Sequence, residues 1–419
     1  MRIAFVINGF PAVSETFILR QIVYLIQQGH SVDIYAERPV PEPPVVHEDV
    51  RRLGLLQHTR YWPAVPRGRL ERLKGAVSRL MIWGWRNPVV IVDALNGFRH
   101  GRHAWNLNRL NNLLPDQRVS GEYDVIHCHY GPNGERAVAL RQLRAFKGPV
   151  ITTFHGYDAN LLPRVFGPHL YRRLFRHGDL FTVGSEFMRR RILRLGAPED
   201  KIVKMPMGVD LARYQFNERK KKEQDEPFRL LTVARLVEVK GIEFSLRAAA
   251  LVKAKLPSFR YQIAGDGPLR GSLERLAAEL HLGDTVEFLG AVSADEAIGL
   301  YETAHAFLLP SIVTQTGEEE NQPVVLAEAQ ATGLPVIASD IGGVSESMRD
   351  GESGRLVPAR DPGAIAEAVM HIAEHPDDWG KMGRAGRAYV EEKFDLNKLN
   401  QQMTEMYGAV ILSAANMRR

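Results

Sequence analysis

Residues 1–36, MRIAFVINGFPAVSETFILRQIVYLIQQGHSVDIYA, decide the fold class. Ile3 to Ile7 is a short apolar run that stops at Asn8-Gly9-Phe10-Pro11, and it reads as a buried strand. Thr16 to Gln28 then places Phe17, Ile18, Ile22, Leu25 and Ile26 at helical spacing, and Gly29 supplies the residue type that ends a helix. Ser31 to Ala36 is a second strand. In the connection between first strand and helix, Gly9 permits close backbone approach and Ser14 suits the N-cap. Strand, helix and strand in this order form the βαβ unit of a parallel sheet.

The same alternation continues through Val125 to Tyr130, Val150 to Phe154 and Leu180 to Val183. A polar stretch, Asn217 to Pro227, has no apolar periodicity and reads as a solvated linker or its exposed flank. Strand-like runs then restart at Arg229 to Val233, Arg260 to Ala264, Val286 to Leu289, Ala306 to Leu309 and Pro335 to Ala338. A chain of 419 residues is about twice the usual domain size, so the expected fold is α/β, with two Rossmann-like domains facing across a cleft. Leu396, Leu399, Met403, Met406 and Val410 recur at steps of three and four, which predicts a final amphipathic helix that must dock on something.

Composition excludes several classes. A hydrophobic share of 45% with 25% charged residues is a globular balance, against a disordered, collagen-like or coiled-coil chain. Cys128 is the sole cysteine, which rules out an internal disulfide and fits a reducing compartment. The N-terminal apolar run is too short for a secretory signal, and Leu80 to Leu95 is interrupted by Arg86, Asn87, Pro88 and Asp93. A cytoplasmic chain that does not span a membrane is expected. Charge is uneven: residues 1–210 carry 30 Lys and Arg against 18 Asp and Glu, and residues 211–419 carry 24 against 31. The basic first half suggests an anionic surface or substrate.

Candidate chemistry concentrates in the second half. Glu320-Asn321-Gln322-Pro323-Val324-Val325 leads into a helix that Gly333 ends, with Pro323 suited to its first turn. Glu328 lies in the middle of that helix. A buried carboxylate needs hydrogen-bond donors, and a diol such as a ribose offers two. Glu320 stands near the helix N-terminus, whose N–H groups attract a phosphate. Arg235 and Lys240 follow the strand Leu230 to Ala234, at the carboxyl end where open parallel sheets bind ligands, and the two cations suit a pyrophosphate. Gly265-Asp266-Gly267-Pro268-Leu269-Arg270-Gly271 could cradle a phosphate or form a tight strand-to-helix turn. A nicotinamide-binding fold also wants an acidic residue at the end of the next strand, whereas Glu287 lies inside its run.

In the first half, His155 follows the strand Val150 to Phe154 and could reach a sugar hydroxyl across the cleft. His127 and His129 share one strand face without a third ligand at recognisable spacing, so no metal is expected.

Glu320 to Glu328 resembles the Glu-x7-Glu motif of retaining glycosyltransferases of the GT-B fold, in the large group called family four. The similarity extends over most of the chain: Ser14-Glu15-Thr16-Phe17, His127 to Gly134, Thr153 to Asp158, Met207 to Asp210, Ala234-Arg235-Leu236 with Lys240-Gly241, Ala264 to Pro268, and Gly342 to Glu346. Within the family, the chain is most similar to enzymes of colanic-acid and exopolysaccharide synthesis.

The resemblance implies residues 1–208 as an acceptor-binding domain, 209–390 as a nucleotide-sugar domain and 391–419 as a helix crossing back. It implies transfer of a hexose from a UDP- or GDP-sugar, with retention, to a saccharide or polyprenyl-diphosphate-linked acceptor. Glu320 would contact the donor sugar, Glu328 the ribose, Arg235 and Lys240 the diphosphate, and His155 a donor-sugar hydroxyl. Gly9, Gly265, Gly267, Asn321, Pro323, Val324 and Val325 would line the donor site; Ser14, Glu15, His129 and Asp158 would lie toward the acceptor. No cofactor, metal or nucleic acid is implied. The family commonly has Gly after the first glutamate, where this chain has Asn321, which bears on the donor sugar. Two other classes share the sequence features in part, a nicotinamide-dependent oxidoreductase and a non-catalytic sugar-binding protein. A peripheral site on the cytoplasmic face of the membrane is expected from Arg67, Arg69, Arg72, Lys74 and Arg79 beside Met81, Ile82, Trp83 and Trp85, and from Arg172, Arg173, Arg176, Arg189, Arg190 and Arg191.

Overall fold

A computed structural model describes residues 1–11, 16–39, 48–62, 68–84, 91–92, 95, 121–219 and 226–416. The first sheet holds β1 (Arg2–Phe10), β2 (Ser31–Pro39), β3 (Thr59–Tyr61), β4 (Val125–His129), β5 (Val150–Phe154), β6 (Leu180–Val183) and β7 (Ile202–Lys204). The second holds β8 (Phe228–Val233), β9 (Phe259–Ala264), β10 (Val286–Gly290), β11 (Ala306–Leu309), β12 (Val336–Ser339) and β13 (Gly354–Val357). Their orders are β3-β2-β1-β4-β5-β6-β7 and β10-β9-β8-β11-β12-β13. Every neighbouring pair is parallel.

Both sheets reverse their winding once, between β1 and β4 and between β8 and β11. At such a reversal the loops leaving adjacent strands diverge and open a crevice beyond the carboxyl ends. The inner strands are apolar throughout because helices cover both faces: β4, β5, β11 and β12 are almost wholly buried.

Three edge strands, β3, β7 and β13, have no counterpart in the sequence reading. They are only three or four residues long and half-buried in part, so they lack a distinguishing apolar run. The first strand also continues past Asn8, with Gly9 paired to Arg38 and Phe10 to Pro39. The polar stretch after residue 216 departs from a solvated linker where it begins. Arg219 is buried, and its guanidinium donates to the carbonyls of Tyr301 at 2.8 Å, Thr332 at 3.1 Å and Glu302 at 2.5 Å. Burial pushes its pKa down to about 10.

The chain passes between the sheets at two adjacent points. Val209 N–H donates to the Phe394 carbonyl at 2.7 Å and Leu396 N–H to the Val209 carbonyl at 3.1 Å. A side chain on Gly208 would meet the Cα of Leu396 at 2.6 Å, so glycine permits the crossing. Beyond it, the helix Leu396–Asn416 packs Met403, Tyr407 and Val410 into the first-domain core with Ile3, Phe5 and Ile22. Full burial of a side chain such as Met403 contributes about 1.5–3 kcal/mol, so this helix is integral to the first domain's core.

Candidate functional site

The loop leaving β8 is built directly on the loop leaving β9. Ala234 N–H donates to Ala264 O at 2.9 Å and Leu236 N–H to Asp266 O at 2.9 Å. A side chain on Gly265, whose φ is +143°, would meet the Ala234 carbonyl at 1.8 Å; one on Gly267 would meet the Leu236 carbonyl at 2.5 Å. Both glycines therefore serve loop-on-loop packing. The stacked loops leave Arg235 exposed, and no described residue pairs with its guanidinium.

Lys240 is placed by a second close approach. Gly241 has φ +62° and lies where a side chain would meet the Pro310 carbonyl at 2.0 Å, while Ile312 N–H donates to Val239 O at 2.8 Å. The loop leaving β11 is thereby laid beside the loop leaving β8. Lys240 Nζ forms an ion pair with Glu320 Oε1, with side chains 14% and 13% exposed. Salt screens such a sheltered pair less than it would a surface one. From the other side, Gly343 N–H donates to Glu320 O at 3.1 Å.

After Glu320, the helix Val324–Ala331 follows the N-cap residue Pro323 with no side-chain cap, so the N–H groups of Val324 and Val325 remain available while that of Leu326 donates to Pro323 O at 3.1 Å. Glu328, at its middle, accepts hydrogen bonds from the hydroxyls of Tyr301, at 3.1 Å, and Tyr214. Burial raises its pKa, and the two hydroxyls act in the opposite direction. Sequence reasoning missed both tyrosines, since each reads as an apolar core position.

On the first-domain side, three imidazoles form a stack. His127 and His129 have ring centroids 4.6 Å apart, and His129 and His155 lie 5.2 Å apart at 14°. His129 Nδ1 and His155 Nε2 share a hydrogen bond of 2.9 Å; His127 bonds to Tyr407 Oη at 2.5 Å and Thr153 Oγ1 at 2.8 Å. Burial pushes His127 down to about 3; burial, with His127 nearby, does the same to His155; His129 falls well below its ordinary value. All three are neutral near pH 7, so a single proton lies between His129 and His155. His129 Nε2 has no partner among the described residues. In the tautomer with His129 Nδ1–H donating to His155 Nε2, that orphan is an acceptor and no N–H of His129 is left unpaired, and His155 Nδ1–H remains as a donor.

Two residues expected toward the acceptor face inward instead. His129 is 0% exposed. Asp158, also fully buried, accepts from the N–H groups of His155 at 3.1 Å, Gly156 at 2.9 Å and Gly131 at 2.9 Å, so it shapes the His155 loop. Gly9 lies within β1. Ser14 and Glu15 fall outside the described residues. Asn321 and Gln322 turn toward the first domain and are nearly buried. Among the described residues, no group of three or more His, Cys, Asp and Glu could hold a metal ion, and no helix is long and apolar enough to cross a membrane.

Comparison with known proteins places this geometry in context. Residues 214–389 match the family described as glycosyl transferases group 1, and residues 14–213 match glycosyltransferase family 4. The chain is 33% identical to the colanic acid biosynthesis glycosyltransferase WcaL of Salmonella typhimurium, over 97% of this chain and 99% of that protein. It is 30% identical to the amylovoran biosynthesis glycosyltransferase AmsK of Erwinia amylovora, over 97% and 99%. Among solved structures, Anabaena Alr3699/HepE in complex with UDP superposes with a TM-score of 0.70 at 18% identity, covering 98% of this chain and 100% of that one. Sucrose-phosphate synthase from Thermosynechococcus elongatus gives 0.70 at 22%, covering 99% and 100%.

The imidazole stack fixes a pH response. In the unfolded chain these histidines bind protons below about 6.5, whereas the folded ones resist protonation down to about 3 for His127 and His155. The unfolded state then binds more protons, so the stability these groups contribute is present above 6.5 and declines as pH falls below it. Denaturant midpoints measured at about pH 7.5 and about pH 5.5, above the range where unperturbed carboxylates titrate, are expected to fall on acidification. A midpoint that stays constant, or rises, would contradict neutral burial.

Proposed function

The chain belongs to the glycosyltransferases of group 1 and family 4, and we propose that it moves a hexose from a UDP- or GDP-sugar to a saccharide acceptor, with retention, in the assembly of a cell-surface polysaccharide. The observation that carries this reading is the Lys240–Glu320 pair at the β8/β11 crevice, beside an exposed Arg235 and an uncapped helix start. The names of WcaL and AmsK support the polysaccharide context, and the UDP of the Anabaena structure supports a nucleotide donor.

In this mechanism Glu328 accepts from the ribose hydroxyls, while the N–H groups of Val324 and Val325 and the side chains of Arg235 and Lys240 meet the diphosphate. The bond from the anomeric carbon to the phosphate oxygen breaks with its electron pair going to the diphosphate. The acceptor hydroxyl oxygen bonds to the same carbon from the same face, and its proton passes to the departing phosphate. Preorganised cations and N–H groups stabilise charge that grows during the step, and no metal takes part. Glu320, held in place by Lys240, orients the sugar. His155 Nδ1–H donates to a sugar hydroxyl.

Arg235→Ala and Lys240→Ala are each expected to lower turnover about a hundredfold or more, far more than they lower stability. Glu328→Ala is expected to act mainly on nucleotide affinity, read by calorimetry. Wild-type rates in both cation variants would refute their role.

A polyprenyl-diphosphate-linked acceptor would bring the enzyme to an anionic membrane surface on its cytoplasmic side. The helix Arg69–Gly84 supports such docking: Leu70, Leu73, Val77 and Met81 are 66%, 53%, 48% and 72% exposed along one stripe, beside an exposed Lys74. Arg67, Trp85 and the side chains of Arg69, Arg79, Ile82 and Trp83 lie outside the described residues. The second basic cluster contributes less than its sequence suggests, because Arg173 pairs with Glu135, Arg189 with Glu186 and Glu199, and Arg191 with Glu319. Co-sedimentation with anionic liposomes is expected to weaken with salt and with Leu73→Glu plus Met81→Glu. Equal recovery with neutral and anionic vesicles would exclude the electrostatic part.

A further inference from the structure

Glu320 and His155 come from different domains, and one side chain connects them. Asn321 follows Glu320 directly, and its Nδ2 donates to the His155 carbonyl at 3.0 Å. Its Oδ1 accepts from the hydroxyl of Ser185, which in turn accepts from Met188 N–H at 3.1 Å as the N-cap of the helix Glu186–Arg194. Both ends of the amide are therefore spent on the first domain, and the residue is 4% exposed.

Its neighbours hold it from both sides. Gln322 Oε1 accepts from Met207 N–H at 2.8 Å, and its Nε2 donates to Met207 O at 2.9 Å, so the second amide also bridges the domains. Glu346 accepts from Glu186 N–H and Phe187 N–H, both at 2.7 Å, and pairs with Lys204 at 2.7 Å. Close approach is enforced: a side chain on Gly184 would meet Gln322 Oε1 at 2.7 Å, and one on Gly343 would meet Asn321 O at 2.0 Å. His155 is meanwhile fixed within its own domain through its N–H, to Asp158, and through its ring, to His129. Among the described residues, the Asn321 hydrogen bond is the one that refers it to the other domain.

We propose that Asn321 is a positioning residue that sets His155 in register with the Glu320–Lys240 pair across the cleft. This inference rests on the reading of Glu320 and His155 as donor-sugar contacts. Its consequence is specific. Loss of the Asn321 amide misplaces the group that touches the sugar and leaves intact the groups that bind the nucleotide, Glu328 and Arg235, which belong wholly to the second domain. Misplacement of about 1 Å at a reacting centre is enough to cost on the order of a hundredfold in rate.

The test compares Asn321→Ala with the isosteric Asn321→Asp, which keeps an acceptor for Ser185 but removes the donor to His155. In both, turnover at saturating donor is expected to fall about ten- to a hundredfold. Calorimetric affinity for free UDP or GDP, whichever the wild type binds, should stay within about twofold, and hydrogen exchange at the amides of residues 155–160 should accelerate in the full-length protein. Wild-type turnover in Asn321→Asp would overturn the proposal, as would parallel losses of turnover, nucleotide affinity and global stability, the signature of a merely structural residue. If the wild type turned over no nucleotide sugar, the reading of the site would fall; the exchange measurement would still decide the bridge, with unchanged exchange refuting it.

Discussion

An all-parallel sheet that reverses its winding must leave a crevice beyond its carboxyl ends, and the candidate site depends on two such crevices meeting. The first opens between β1 and β4, the second between β8 and β11. Within the second crevice, the decisive contact is the ion pair of Lys240 with Glu320. It joins the loops of the two strands that flank the reversal. Gly241, pressed against the Pro310 carbonyl, and Gly342, whose side chain would meet the Glu320 carbonyl at 2.0 Å, leave the loops no other route. Sterics thus fix the backbone, and electrostatics then fixes the two side chains.

Across the cleft, the first domain supplies a different kind of order. The His127–His129–His155 stack disfavours positive charge by burial, so this part of the first domain is a neutral hydrogen-bonding patch despite the basic composition of the first half, while Lys204 and Arg191 pair with Glu346 and Glu319 elsewhere on the interface. The final helix contributes to that stack, since Tyr407 bonds His127. The helix therefore links the end of the chain to the back of the site. The cations proposed to meet a diphosphate, Arg235 and Lys240, come from the second half, although that half is the more acidic by composition.

The sequence made the fold readable where burial was complete. Strands β5, β6 and β11 begin and end where apolar runs do, because both faces of each are covered. Edge strands β3, β7 and β13 were illegible, since their residues need bury only one side. Glu320, Glu328, Arg235 and Lys240 were legible as charges at strand ends or on an otherwise apolar helix. Tyr214 and Tyr301 were not, because a tyrosine that orients a carboxylate looks like any core aromatic until the carboxylate is beside it. Asn321 and Gln322 stood out as unusual polar residues, but their partners are 136 or 115 residues away for the contacts with Ser185 and Met207, and spacing carries no trace of such pairings. The glycines of Gly265 to Gly271 show the converse: a phosphate-loop pattern whose positions at Gly265 and Gly267 are required by neighbouring backbone.

Whether this cleft takes a nucleotide diphosphate sugar is tested most directly by a thermal-shift screen of UDP- and GDP-hexoses with nicotinamide dinucleotides as controls. A ligand specific for the folded state at about 100 times its dissociation constant adds roughly 2.7 kcal/mol of stability. The transition temperature is expected to rise with sugars of one nucleotide base, to stay constant with the nicotinamide dinucleotides, and to rise much less in Glu328→Ala. Stabilisation by a nicotinamide dinucleotide, with no response to any nucleotide sugar, would contradict the nucleotide-sugar reading.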